Sequence, residues 1–288
     1  MSFSSEIKEK LSTVKCGCKM CDKYFLAGFM GNSAKISQDK ITLVTENKHV
    51  AKVLVGILNR NYLTNVTPVF ISNVFKFEVE DNGVAIKIIE DTGYIDRSIE
   101  IKKECCKGAF ARGAFMGGGS INDPQKSYHL EIDYKYPEQA QKLVDIFDDI
   151  GAGVKTTERK GHTVVYVKEY EVIAGILGFI GAGAAAIEIY NISAEKEIRN
   201  GINRQINCES ANMDKIAEAY CKHLQAIEKI KLKLGFDKLP ETLREAAEIR
   251  LKFPEDSLKE LGERFNPPIG KSGVNHRLNR LIEIAENL

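Results

Sequence analysis

One short apolar motif occurs twice in this chain. Gly28-Phe29-Met30-Gly31-Asn32-Ser33 returns, displaced by 86 residues, as Ala114-Phe115-Met116-Gly117-Gly118-Gly119. In each copy a helix-length run of apolar and small residues leaves through a polar or Gly-rich exit into a strand-like segment. Small residues let two helix backbones approach closely, so the pair is expected to pack helix on helix in a duplicated domain. Neither copy ends in a carboxylate.

Periodicity fills in the repeated unit. Helices are expected over 4–15, over 22–30 with Asp22 as N-cap, and over 47–61, where Val50, Val53, Leu54, Ile57 and Leu58 recur at helical spacing. Strands are expected at 35–44, 66–71, 75–79 and 84–89, with the Asn-Gly pair of 80–83 making a hairpin turn. The second half follows with a helix over 105–116, a strand over 128–134, a helix over 137–150, a strand over 163–167 and a Gly/Ala-rich helix over 169–188. Helix, strands, helix, strands, twice over, is an α/β (α+β) chain of duplicated αββαββ units. Past about residue 192 strand signals stop. Ile216, Ala219, Tyr220, Leu224, Ile227 and Ile230 mark a long connecting helix, punctuated by Gly235 and Pro240. The expected parts are 1–103, 104–192, a helical linker over 193–238 and a helical domain over 239–288. A length of 288 residues suffices for two or three such cores.

Bulk properties remove several function classes. A net charge of +1 gives no global field for nucleic acid, so any basic signal must be local. The N-terminus lacks the basic and apolar regions of a signal peptide, so the chain is expected in the cytoplasm with reduced thiols. The run 172–189 approaches a spanning length, but its many Gly and Ala residues between Glu171 and Glu188 indicate a tightly packed core helix rather than a membrane span.

Cys16, Cys18 and Cys21 offer three thiolates, yet no second paired knuckle follows. Cys105-Cys106 is a poor complement because adjacent side chains diverge. No metal and no cofactor are therefore expected. The 181–186 run has the form of a dinucleotide fingerprint but lies inside a helical segment. Gly270-Lys271-Ser272 has the end of a phosphate loop, with Phe265 in place of its first glycine. His129 and His162 sit in strand-like segments without partners at ligand spacing and read as structural.

The last fifty residues are chemically more specific. Leu243, Ala246, Ile249 and Phe253 mark a helix that Pro254 stops. Ser257 and Glu260 form a capping box before a second helix, and residues 266–270 break the chain ahead of a third. From Arg264 to Arg280 there are four full positive charges (Arg264, Lys271, Arg277, Arg280), one histidine and no acid. Asn275, His276, Asn279 and Arg280 share a polar face. Asn pairs with adenine and Arg with guanine in the major groove, and a helix N-terminus at Lys271-Ser272-Gly273 suits a phosphate. Three short helices with the last one basic read as a helix-turn-helix with a loose turn. The DNA-binding candidates are Ser257, Lys259, Lys271, Ser272, Gly273, Asn275, His276, Arg277, Asn279 and Arg280. A helical bundle with a solvated basic edge is the bland alternative.

Three ordered segments carry a resemblance: 111–120 with Cys105-Cys106 before it, 203–212, and 266–278. Together they resemble the WhiA family of bacterial regulators of sporulation or cell division. The resemblance implies a LAGLIDADG homing-endonuclease-like domain joined to a DNA-binding helix-turn-helix. In nuclease relatives each motif helix delivers a metal-holding acid at its C-terminal end. Here those positions fall on Asn32 and Gly118, or on Ser33 and Gly119 if the register slips by one, so catalytic residues are expected to be absent. The implied role is transcription regulation in cell division, chromosome segregation or sporulation, on the nucleoid. Double-stranded DNA is the implied partner, with RNA polymerase or a regulatory protein as a second. The sequence leaves the oligomeric state open. The rival readings are a protein-interaction scaffold with weak DNA affinity and a metal-dependent endonuclease.

Overall fold

The computed structural model describes residues 2–37, 40–95 and 99–288. Its first half runs α1 (Phe3–Leu11), α2 (Cys21–Ser33), β1 (Ala34–Ser37), β2 (Lys40–Thr45), α3 (Lys48–Tyr62), β3 (Val69–Ile71), β4 (Val74–Val79) and α4 (Asn82–Thr92). The second half is α5 (Glu104–Gly118), β5 (Gly119–Ile121), β6 (Leu130–Tyr134), α6 (Pro137–Asp149), β7 (Lys155–Arg159), β8 (His162–Val167) and α7 (Tyr170–Ile180). Both halves build a four-stranded antiparallel sheet of the same topology, β1-β2-β4-β3 and β5-β6-β8-β7. The fold is α+β, a duplicated LAGLIDADG-like unit followed by helices.

Helices α2 and α5 form the centre. A Cβ on Gly28 would collide with the carbonyl oxygen of Phe110, and one on Gly113 with that of Phe25. Only glycine permits this backbone approach. Phe29, Met30, Phe115 and Met116 are almost wholly buried around it. These reciprocal contacts set the repeat at 85 residues, matching 25 with 110 and 28 with 113, and the strand starts Ala34 and Gly119 obey the same spacing. The Phe-Met-Gly identity at 86 is thus one residue out of the packing register. Backbone contact through glycine, not side-chain identity, decides the alignment.

Several elements differ from the sequence expectation. The run 35–44 is two paired strands, with 38 and 39 outside the described residues. The Asn82-Gly83 pair does not turn a hairpin, and the strand expected at 84–89 is part of α4. Asp81 Oδ1 accepts from the Val84 amide at 3.1 Å, capping a helix that buries Ala85, Ile88 and Thr92 on one face. That apolar face and cap override the local turn signal. Asp22 lies inside α2 rather than capping it. Its carboxylate accepts from Cys16, Arg60 and Asn61. Burial alone would raise its pKa, but the hydrogen bonds from Cys16, Asn61 and Arg60 hold it below the usual carboxylate range.

The Gly/Ala-rich run is also split. Gly181 adopts φ 103°, and the Ala182 amide turns back to the Leu177 carbonyl at 2.7 Å. This glycine C-cap ends α7, and the long helix α8 (Gly183–Lys233) begins ten residues before the expected linker. No helix among the described residues is long and apolar enough to cross a membrane. His129 and His162 do have partners, Glu131 at 3.1 Å and Asp133 at 2.7 Å.

Contacts divide the chain into compact units of residues 1–196 and 197–288. The second holds the end of α8 with α9 (Glu241–Lys252), α10 (Leu258–Glu263) and α11 (Lys271–Glu286). Ile227 and Ile230 of α8 are buried with Leu243, Ala246, Leu261, Phe265, Val274, Leu278 and Leu281, so α8 supplies a fourth helix to the core. Ile216, expected in the same stripe, is exposed.

Candidate nucleic-acid interface

The C-terminal helices are held in a defined turn. Ser257 caps α10, accepting from the Glu260 amide at 3.4 Å while Glu260 accepts from the Ser257 amide at 2.8 Å. This is the expected capping box. Gly262 lets the following loop fold onto α10: its carbonyl accepts from the Ile269 amide at 3.0 Å, and a Cβ there would strike the Ile269 carbonyl. The loop then delivers Gly270 as the N-cap of α11, with no side chain bonding its first amides. Such an uncapped N-terminus presents N–H groups and positive dipole charge to an anion.

Val274, Leu278, Leu281 and Ala285 bury one face of α11. Lys271, Ser272, Asn275, His276, Asn279 and Arg280 occupy the opposite, exposed face, with Gly273 at its edge. Lys259 is exposed on α10. Arg280 Nη1 contacts Glu283 at 2.6 Å, an exposed pair one helical turn apart that a phosphate or base can displace at little cost.

Two of the four cations have other work. Arg277 is half-buried. Its Nη1 donates to Glu245 Oε2 at 3.3 Å, and its guanidinium lies 4.9 Å from the Phe265 ring centroid. Arg264 pairs with Asp256 at 3.2 Å and covers Phe253 at 4.2 Å. Both fasten helices together, leaving a thinner free basic edge than the residue string suggests. The fold also contains an element the sequence pattern did not disclose. Arg250 is buried with Nη1 donating to the Asp256 carbonyl at 2.7 Å and Nε to His223 Nδ1 at 3.4 Å. Burial, and then the Arg250 charge, push the His223 pKa down to about 4. A cation and a histidine at helical positions otherwise reserved for apolar residues were the available signal.

At the C-terminal ends of α2 and α5 the expected degenerate metal site is neutral. The packing register pairs Asn32 with Gly117 and Ser33 with Gly118. Asn32 Nδ2 donates to the Ala114 carbonyl at 2.8 Å, and Ser33 Oγ donates to Asn32 Oδ1 at 3.2 Å. An amide, a hydroxyl and two glycines do not fit the divalent cation that the nuclease fold implies, which needs carboxylate ligands. At the opposite ends of the same helices the cysteine expectation fails on geometry. The Sγ atoms of Cys18, Cys21, Cys105 and Cys106 all lie within 4.8 Å of one another. The loop before α2 packs against the first turn of α5, with Gly17 beside Cys105, and so brings its sulfurs within reach of both adjacent cysteines.

A duplicated LAGLIDADG-like unit carried with a helix-turn-helix whose third helix presents a polar, basic face defines a DNA-binding regulator. Comparison with known proteins agrees. The family model "WhiA LAGLIDADG-like domain" matches residues 107–199 and "WhiA C-terminal HTH domain" matches 202–285. A protein of Ruminiclostridium cellulolyticum named "Probable cell division protein WhiA" is 38% identical over 100% of this chain and 98% of its own. One of that name from Alkaliphilus metalliredigens is 35% identical over 99% of this chain and 98% of its own. The crystal structure of full-length DUF199/WhiA from Thermatoga maritima is 27% identical and covers 100% of this chain and 99% of its own, with a TM-score of 0.63. The chain belongs to the WhiA family.

Proposed function

We propose that this protein binds specific double-stranded DNA through the exposed face of α11 and regulates transcription in cell division, chromosome segregation or sporulation, without cleaving DNA. The observation that carries the reading is the row Lys271, Ser272, Asn275, His276, Asn279 and Arg280, which takes no part in the apolar core and begins at an uncapped helix N-terminus. Lys271, Ser272, Gly273 and the helix N-terminus contact phosphate. Asn275, Asn279 and Arg280 read base edges, and His276 sits between them. Ser257 at the N-cap of α10 and Lys259 on α10 meet the flanking backbone. Arg277 positions α11 rather than touching DNA. The neutral groups at Asn32, Ser33, Gly117 and Gly118 support a scaffold without nuclease chemistry, which serves as a second contact surface for DNA or for a protein such as RNA polymerase. The protein works in the cytoplasm on the nucleoid.

Genome-wide mapping of bound DNA tests this, comparing the wild-type chain with the Lys271→Ala/Asn275→Ala/Arg280→Ala variant. Discrete wild-type sites that vanish in the variant support the reading. Equal occupancy by both proteins favours a scaffold recruited by a partner and overturns it.

A further inference from the structure

Four cysteines from distant parts of the sequence converge where α2 and α5 begin. Cys18 lies in the loop before α2, Cys21 is the first residue of α2, and Cys105 and Cys106 are in the first turn of α5. The Cys18 sulfur is 3.6 Å from that of Cys21 and 3.5 Å from that of Cys106. All four sulfurs fall within 4.8 Å of one another. A tetrahedral ion with metal–sulfur bonds of about 2.3 Å holds its sulfurs about 3.8 Å apart. These two separations are near that value, and all the others lie within 4.8 Å, in reach of side-chain adjustment.

The surroundings suit thiolates. Neither helix has a side-chain cap: Met20 precedes α2 and Lys103 precedes α5, and neither side chain bonds the first amides. Two positive helix ends therefore point toward the sulfurs. Gly17 brings its backbone against Cys105, where a Cβ would come within 2.9 Å of the Cys105 Cβ. Cys21 and Cys106 are buried, Cys18 is partly so, and Cys105 is exposed, leaving a path for an ion to enter. Cys16 is separate, because its thiol donates to Asp22 Oδ1 at 2.9 Å. Cys208 and Cys221 lie exposed on α8.

We propose that Cys18, Cys21, Cys105 and Cys106 bind one zinc ion as a structural tetrathiolate site. Two ligands come from each half of the repeat, so the ion ties the halves together at the N-terminal ends of the central helix pair. These are the ends opposite the nuclease metal position. Four protein ligands fill the coordination sphere and leave no open position for catalysis. Binding exchanges each bound thiol proton for a metal–sulfur bond, with no change in oxidation state.

The test uses the full-length protein without a metal-binding tag, purified under reducing conditions. Elemental analysis is expected to find about one zinc per chain, released on thiol modification. Replacing it with Co²⁺ should give the intense visible bands and sulfur-to-metal charge transfer of a tetrahedral tetrathiolate. Cys18→Ser and Cys106→Ser should each lose most of the bound metal, whereas Cys208→Ser should keep it. The cobalt spectrum is read on wild-type protein, so the proposal stays open to refutation even if a variant misfolds. Metal-free reduced protein without a cobalt spectrum overturns it. So does iron–sulfur absorbance, or a disulfide between Cys18 and Cys21 or Cys106 trapped in fresh lysate.

Discussion

Arg277 reaches from α11 to Glu245 on α9, with Nη1 and Oε2 3.3 Å apart, and lies over the Phe265 ring. Arg280, three residues on, faces solvent and contacts only its helical neighbour Glu283 among the described acids. The two arginines should therefore fail differently. Arg277→Ala should lower the stability of the C-terminal unit by about 1 kcal/mol, from a partly exposed ion pair and a cation–π contact. Arg280→Ala should leave stability unchanged and weaken specific DNA binding by about 1–3 kcal/mol if it reads a base. Urea denaturation and fluorescence anisotropy on the same samples separate these effects.

The glycine contacts of the central pair make a second prediction. Gly28→Ala or Gly113→Ala drives a methyl group into a backbone carbonyl, which cannot move without separating α2 from α5. Each should cost about 3 kcal/mol or more. Gly175→Ala, on a helix position with nothing within 4 Å, should be neutral or stabilising by up to about 1 kcal/mol. Denaturant midpoints of the three variants measure the contrast.

Buried His223 gives the C-terminal unit a pH dependence of definite sign. Its folded pKa is about 4, against about 6.5 for an unfolded histidine. Between these values the unfolded chain binds the extra proton, so stability is full above about pH 6.5 and falls as the pH drops toward 4. The loss is of order 3 kcal/mol at most. Unfolding followed from pH 7 to 4.5 should show this decline, and His223→Gln should flatten it. An unchanged pH profile in the variant would place the dependence on another group.

Restoring acids to the old metal position should not restore a nuclease. A Cβ on Gly118 would lie 2.7 Å from both Asn32 Nδ2 and the Asp133 carbonyl, so Gly118→Asp is expected to destabilise the fold before it binds a cation. Wild-type protein should leave supercoiled DNA intact in Mg²⁺ or Mn²⁺. Cleavage that persists through metal-controlled purification would contradict the neutral-site reading.

Much of this architecture was legible because duplication and capping leave local marks. The Phe-Met-Gly repeat disclosed the central helices, and Ser257 with Glu260 disclosed the start of α10. What was not legible has identifiable physical causes. Asn82-Gly83 has the local chemistry of a turn, but burial of Ala85 and Ile88 makes it the start of α4. Gly181 sits in a run of uniform apolarity, and only its positive φ separates α7 from α8. Arg277 also pairs with Glu245, 32 residues away, a contact that the basic string does not show. Cys18 and Cys106 are 88 residues apart, and no spacing rule joins them. Burial and a local cap decide the first case and a backbone turn the second, contacts between distant segments decide the last two, and the exposed face of α11 follows from helical spacing alone.

The salt dependence of DNA affinity tests the central claim most directly. Each phosphate contact contributes roughly 0.9 to the slope of log affinity against log salt. Wild-type protein should bind its mapped sites with a clear negative slope. The Lys271→Ala/Arg280→Ala variant should bind more weakly with a slope shallower by about 1 to 2, at unchanged stability. Equal affinity and equal slope for the two proteins would show that the face of α11 does not meet DNA.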